Sequence, residues 1–328
     1  MTRTSTETNT ASVLMQIPAR KSRLRTHAPA GPVWTHPQRR SVRVRPQHGW
    51  VVAAWLAWAT AASAAPASTA QPVTVYAAGS LRNTLTAMSE VLGAQYNLRV
   101  KLTFGPSGGL RERIEHGEHA DLLLSADLGS PRQLASSGRT VLPVVAFARN
   151  AMCIISYRSA GLTADNLIQR MLQDKVRLKT SKPVADPSGD YAWAIFDRID
   201  ARRSGAGAVL KEKAQRSMSL ATPAGAAQSP SASVPAQNPT AALFAGKQID
   251  LAITYCSGAP EVLQALPDLV SLPVPAELDP HPVYGAALLS ERPEAMRVLL
   301  VLLSDQGQEL IAHAGLLPLL TSPAPSTR

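Results

Sequence analysis

The sequence predicts an α/β fold built on mostly parallel sheet. Three features carry this expectation. Short, near-continuous apolar runs of strand length recur along the chain. Segments with helical spacing follow them, and Gly/Ser turns join the two. Apolar residues on both faces of a strand imply a sheet covered on both sides, the usual setting of parallel strands.

The elements follow in order. Residues 73–78, "VTVYAA", form an apolar run of strand length, and behind it Leu81, Leu85, Met88 and Leu92 recur at helical spacing. Residues 100–104 make a second strand, followed by a short helix with Leu110 and Ile114 on one face. Residues 121–124 make a third, with a helix after Leu128. The pattern so far is β-α-β-α-β. Another apolar strand spans 151–157, a helix 162–172, a short strand 176–179 and a helix 191–199 with Ile195, Phe196 and Ile199 inward. Residues 204–236 are rich in Ala, Ser, Pro and Gly, too poor in apolar area to offset their ordering entropy, and read as a mobile surface insertion. A helix near 240–246 and a strand at 251–255 follow. A strand over 283–289 leads into a helix over 293–303 with proline in its first turn, and a last short helix ends near Gly315.

Charge limits the partners. Of the formal +10, residues 1–64 hold nine Lys/Arg and one acid, Glu7, or +8; residues 65–328 keep only +2. The folded part lacks the basic stripe of a nucleic-acid binder. The N-terminal layout is a basic stretch to Arg45, a short apolar run (50–58) and Ala62-Ser63-Ala64. This reads as a secretory signal peptide cut near Ala64, because the run is too short to span about 30 Å of hydrocarbon. Arg43 interrupts the stretch after Arg39-Arg40 and argues against twin-arginine export. An exported chain permits a disulfide, but Cys153 and Cys256 each sit in an apolar strand-like run and are expected as buried free thiols.

Four turns fall at strand ends or helix starts: 78–80, 105–109, 186–192 and 255–258. In an open α/β sheet, ligands bind beyond the carboxyl ends of the strands. Helix-start N–H groups there lack intrahelical partners and favour anions. Ser80 or Ser107 alone fits an ordinary helix cap; two such serines after consecutive strands point to a shared site.

The segments "VTVYAAGSL", "FGPSGGLRERIEHGEHADLLLSAD", "ADPSGDYAWAIF" and "DLAITYCSGA", in this order and spacing, resemble the periplasmic molybdate-binding proteins of ABC importers. The likeness runs from about Val73 to Gly315. It implies a two-lobed type II periplasmic binding fold with the oxyanion, molybdate or tungstate, in the interlobe cleft. The implied boundaries are a leader at 1–64, a linker at 65–72, a first lobe at 73–150 and a second lobe at 151–256 carrying the 204–236 insertion. The chain then returns to the first lobe over 257–318 and ends in a tail at 319–328. The resemblance further implies hydroxyl donors at Ser80, Ser107 and Tyr255, a backbone N–H at Ala192, and another near Gln237 or Asn238. It implies a monomer in the periplasm that serves an inner-membrane permease and its ATPase, with no cofactor and no resident metal.

The chemistry of a dianion agrees with such a site. A fully ionised oxyanion has only acceptors and suits a pocket of donors, whereas a protonated phosphate needs an acceptor. A cleft-facing carboxylate would repel the guest, so Asp190 is expected to point outward or cap its own helix. Sulfate and phosphate remain alternatives. Gly105-Pro106-Ser107-Gly108-Gly109 also matches the G-x-S-x-G turn of hydrolases. That reading needs a histidine base, and His116, His119, His281 and His313 all lie outside strand-end turns. The His116-x-x-His119 pair has no third ligand that would make a metal site.

Overall fold

The computed structural model describes residues 71–218 and 238–319. The expected leader and its cleavage site, Gln237, the later part of the insertion and most of the tail lie outside these residues.

The first lobe opens with β1 (Val73–Ala78), α1 (Arg82–Tyr96), β2 (Val100–Gly105), α2 (Ser107–Glu115), β3 (Leu122–Ser125), α3 (Gly129–Ser136) and β4 (Val145–Arg149). The chain then crosses into the second lobe. That lobe holds β5 (Met152–Tyr157), α4 (Leu167–Leu172), β6 (Leu178–Lys179), α5 (Pro187–Arg202), α6 (Ala206–Met218), α7 (Pro239–Ala245), β7 (Leu251–Tyr255), α8 (Ala259–Ala265) and β8 (Leu269–Pro273). It returns through β9 (Val283–Leu288), α9 (Pro293–Leu303), α10 (Asp305–His313) and β10 (Leu317–Pro318). No helix among the described residues is long and apolar enough to cross a membrane.

The α/β, two-sheet architecture agrees with the expectation, but the sheets are mixed. The first, ordered β10-β4-β9-β3-β1-β2, pairs β1 with β2 and β3 in parallel; β9 runs antiparallel to β3 and β4, and β10 to β4. The second, β6-β7-β5-β8, has one parallel pair, β6 with β7. Because β8 pairs with β5, the second lobe extends through Pro273, and the return to the first lobe comes after β8 rather than at 257. Leu85, Met88 and Leu92 bury the inner face of α1, with Leu81 buried at its N-cap, as their spacing requires.

Two further expectations are corrected. Residues 206–218 are a helix, not part of a mobile insertion. Ala206, Leu210, Ala214 and Ser217 face inward at helical spacing, with Lys213 buried among them. The Lys213 ammonium donates to the carbonyls of Met171 (2.8 Å) and Gln173 at the end of α4, so a charged residue stands at a core position. Gly207 lets α6 approach α5 closely: a Cβ there would lie 2.9 Å from the Phe196 carbonyl oxygen. Cys153 and Cys256 are not free thiols but a disulfide with Cα atoms 4.8 Å apart. Antiparallel pairing of β5 with β7 sets Cys153 opposite Thr254, and the Cys256 N–H bonds the Ala151 carbonyl just past the strand end. That juxtaposition belongs to the tertiary pairing of strands distant in sequence.

Candidate functional site

Parallel pairing of β1 and β2 aligns Ala78 with Gly105, and both chains turn immediately afterwards. Ser80 and Ser107 each follow two residues beyond these paired ends, so one register sets both hydroxyls at the same edge of the sheet. From the second lobe, Tyr255 ends β7, Asn238 caps α7, and the loop 181–186 leads into α5. These elements line one cavity of about 330 Å³. Ser80, Ser107, Asn238 and Tyr255 are all on its wall.

Ser107 is 1% exposed, and its Oγ accepts the Ala126 N–H at 3.1 Å. That bond occupies an oxygen lone pair and leaves the serine hydrogen free to donate. Ser80 Oγ lies 2.9 Å from the Tyr284 hydroxyl. The hydroxyl of Tyr255 is buried and has no hydrogen-bond partner among the described residues. Its ring is wedged between Tyr191 and Tyr284, with centroids 6.2 and 5.8 Å away. Burial holds the Tyr255 phenol well above its ordinary pKa, with nearby Tyr284 and carboxylates adding to the effect, so it keeps its proton.

Asn238 uses its side chain as a cap: Oδ1 accepts from the N–H groups of Thr240 and Ala241, both at 3.1 Å, and Nδ2 donates to Glu261 at 3.0 Å. Ala192 is not brought to the cavity. It is the sixth residue of α5, fully buried and past the first turn with its unpaired N–H groups. The α5 residue on the wall is Ser188, next to the helix start at Pro187. Its signal was present in Asp186-Pro187, an N-cap followed by proline at the first helical position. Asp190 turns back to accept the Val184 N–H at 2.8 Å, away from the wall.

The charged residues of the wall are Arg82, Asp186 and Glu261. The Arg82 guanidinium lies over the Phe104 ring, 4.4 Å from its centre, on an exposed side chain. Asp186 is the inner carboxylate. Burial pushes its pKa up, opposed by hydrogen bonds from the Ser188 N–H (3.0 Å) and the Ser181 hydroxyl. One of these bonds ties the carboxylate to the start of α5.

The two lobes also touch each other. The Gly109 N–H bonds the Ala185 carbonyl at 3.3 Å, and the Tyr191 hydroxyl donates to the Ala126 carbonyl at 3.3 Å. The histidines among the described residues lie elsewhere. His116 contacts its own helix at Glu112, His119 and His281 are exposed beside Asp121 and Asp279, and His313 is exposed in the last turn of α10. Among the described residues, Ser107 therefore has a backbone N–H, and no imidazole, as its polar neighbour.

A family model described as bacterial extracellular solute-binding protein matches residues 73–317. An uncharacterized protein of Pasteurella multocida (strain Pm70) is 36% identical over 250 residues, covering 74% of this chain and 98% of that protein. The periplasmic molybdate-binding protein of Azotobacter vinelandii superposes with a TM-score of 0.57 at 17% identity, over 76% of this chain and 100% of that one. The sulfate-binding protein SubI of Mycobacterium tuberculosis H37Rv gives 0.61 at 15% identity, over 76% and 87%. At these identities the two solved structures establish a shared two-lobed fold. On the match over 73–317, the chain belongs to the bacterial extracellular solute-binding protein family.

Proposed function

We propose that the protein captures a tetrahedral oxyanion, molybdate or tungstate, in the periplasm and delivers it as a monomer to an ABC permease and its ATPase. The observation that carries this reading is the buried Tyr255 hydroxyl, which has no partner among the described residues and stands on the same cavity wall as Ser80 and Ser107. An enclosed hydroxyl without a partner costs about 1–3 kcal/mol, which an anionic acceptor in the cavity would recover. Ser107, its oxygen already accepting from Ala126, supplies a second donor. Neutral dipoles hold a dianion well in a site shielded from water. The molybdate- and sulfate-binding proteins of the same fold favour this ligand class.

One observation favours a second reading, a protonated oxyanion such as hydrogen phosphate: the Asp186 carboxylate on the wall is an acceptor. The hydrogen bonds from Ser188 and Ser181 weigh against it. A thermal-shift panel with molybdate, tungstate, sulfate and phosphate separates the two. A ligand at 100 times its Kd adds about 2.7 kcal/mol to stability. Molybdate or tungstate should raise the unfolding midpoint, and Ser80→Ala/Ser107→Ala should abolish most of the rise. A response to phosphate alone transfers the assignment to the second reading. Turnover of a model ester with covalent labelling of Ser107 would replace both with a hydrolase.

A further inference from the structure

Behind Ser80 runs a chain of three side chains drawn from three distant parts of the sequence. Tyr284, on β9, is fully buried, and its hydroxyl sits 2.9 Å from Ser80 Oγ and 3.0 Å from Asn150 Nδ2. Asn150, 2% exposed, lies where the chain crosses between lobes after β4. Its Nδ2 also donates to Ser257 Oγ at 2.8 Å, and its Oδ1 accepts the Ala151 N–H at 2.9 Å.

The directions of these bonds follow from elementary chemistry. A backbone N–H can only donate, so the Asn150 atom facing Ala151 is the carbonyl oxygen, and the atom facing Tyr284 is the amide nitrogen. That nitrogen can only donate, so Tyr284 accepts from it. The remaining Tyr284 hydrogen, enclosed in the core, has Ser80 Oγ as its one acceptor among the described residues. Leaving it unpaired would carry the penalty of a buried unsatisfied donor. Tyr284 therefore donates to Ser80. The Ser80 hydrogen in turn cannot be spent on Tyr284 and is left for the cavity.

We infer that Asn150 and Tyr284 are positioning residues that direct the Ser80 proton toward the ligand, through the ordered path Asn150 to Tyr284 to Ser80. This rests on the reading of the cavity as an oxyanion site. Without Asn150, Tyr284 could turn to accept from Ser80, and Ser80 would present only lone pairs. The pair thus sets the sign of the Ser80 dipole. Aligned hydrogen bonds also polarise one another, which strengthens the terminal donor.

The test is calorimetric titration of the disulfide-bonded protein with molybdate and, separately, with phosphate. The variants are Tyr284→Phe, Asn150→Ala and Ser80→Ala, together with each of the first two combined with Ser80→Ala. Asn150→Ala should weaken molybdate about tenfold, the size of one charge-assisted hydrogen bond, and Tyr284→Phe, which cannot accept from Ser80, should weaken it less, by the polarisation alone. In the Ser80→Ala background either change should alter affinity by less than about twofold, because a residue acting through Ser80 has nothing left to act on. Asn150→Ala should also narrow the preference for molybdate over hydrogen phosphate, since lone pairs would then face the cavity. Equal losses with and without Ser80, or no loss in either variant, overturn the inference while wild-type affinity stands. If the wild type binds no oxyanion at all, the oxyanion reading itself fails, and the relay with it. Should Tyr284→Phe not fold, Asn150→Ala keeps the Tyr284 ring against Phe147 and Tyr255 and carries the test alone.

Discussion

Gly108 and Val184 meet across the cleft so closely that a Cβ on Gly108 would stand 2.1 Å from the Val184 carbonyl oxygen. The Ala185 carbonyl oxygen would lie 2.9 Å away. Both are backbone atoms that cannot rotate aside. Gly108→Ala should therefore part the lobes at this edge. The expected result is a loss of oxyanion affinity of more than about tenfold with little change in the unfolding midpoint, because the methyl meets the opposite lobe rather than a core. Calorimetry and thermal unfolding check the two halves of this statement.

Val184 itself is held at φ +69°, a left-handed backbone unusual for a β-branched residue, and its side chain is 72% exposed. Such strain costs about 1–3 kcal/mol. Val184→Gly should raise stability by about 1 kcal/mol, read from denaturant unfolding. It relieves the strain without removing a packed side chain, although the glycine makes the unfolded chain more flexible and offsets part of the gain.

Tyr255→Phe should split stability from binding. Removing a buried hydroxyl that has no partner among the described residues leaves the unliganded midpoint unchanged or raises it. Oxyanion affinity should fall about tenfold or more, as a bond to a charged acceptor is lost. A drop in unliganded stability would show that the hydroxyl has a structural partner.

Asp186 gives a pH signature. Its folded pKa is raised above the unfolded value of 3.8 by burial, so the native state holds the proton more tightly. The associated stability is fully present below pH 3.8 and is lost as pH rises through the raised pKa. Lys179, which favours the ionised form, and Asp127, which opposes it, act on the same carboxylate, and Asp190 lies nearby. Asp186→Asn keeps a good N-cap and removes this titration. Sulfate stays fully ionised across the range and is the suitable probe. The variant should bind it about tenfold more tightly wherever wild-type Asp186 is ionised, and the advantage should shrink as pH falls through the raised pKa of the wild-type carboxyl.

Reduction of Cys153–Cys256 opens a link between residues 103 apart. The chain-entropy account puts the loss at about 4–5 kcal/mol for a loop of this length. The unfolding midpoint should drop with reductant. Oxyanion affinity should weaken too, because Cys256 directly follows Tyr255 and fixes the end of β7.

Much of this architecture was legible in the residues. Strands 73–78 and 251–255 are unbroken apolar runs, and Pro293 marked the first turn of α9 where the structure begins it. The short strands β4 and β8 were not, since β8 is an edge strand ending in Pro273 with little apolar run to announce it. Helix α6 was hidden by its Ala/Gly composition and by Lys213 at an inward position. At the site, Ser80, Ser107 and Tyr255 could be read from local turns; the start of α5 that places Ser188 was marked by Asp186-Pro187, although apolar residues at helical spacing begin only further on, at Ile195. Asn150 and Tyr284 left no local trace. Their contacts span 134 and 204 residues, and only the folded sheet order reveals them.

The sulfur bridge has a bearing on grip. Both of its ends lie in the second lobe, and one end adjoins a wall residue of the cavity. With the bridge reduced, the two thiols would leave a slack rim beside Tyr255. Full grip would come only with the bridge closed, so the redox state of the surroundings would set how firmly the cavity holds a guest.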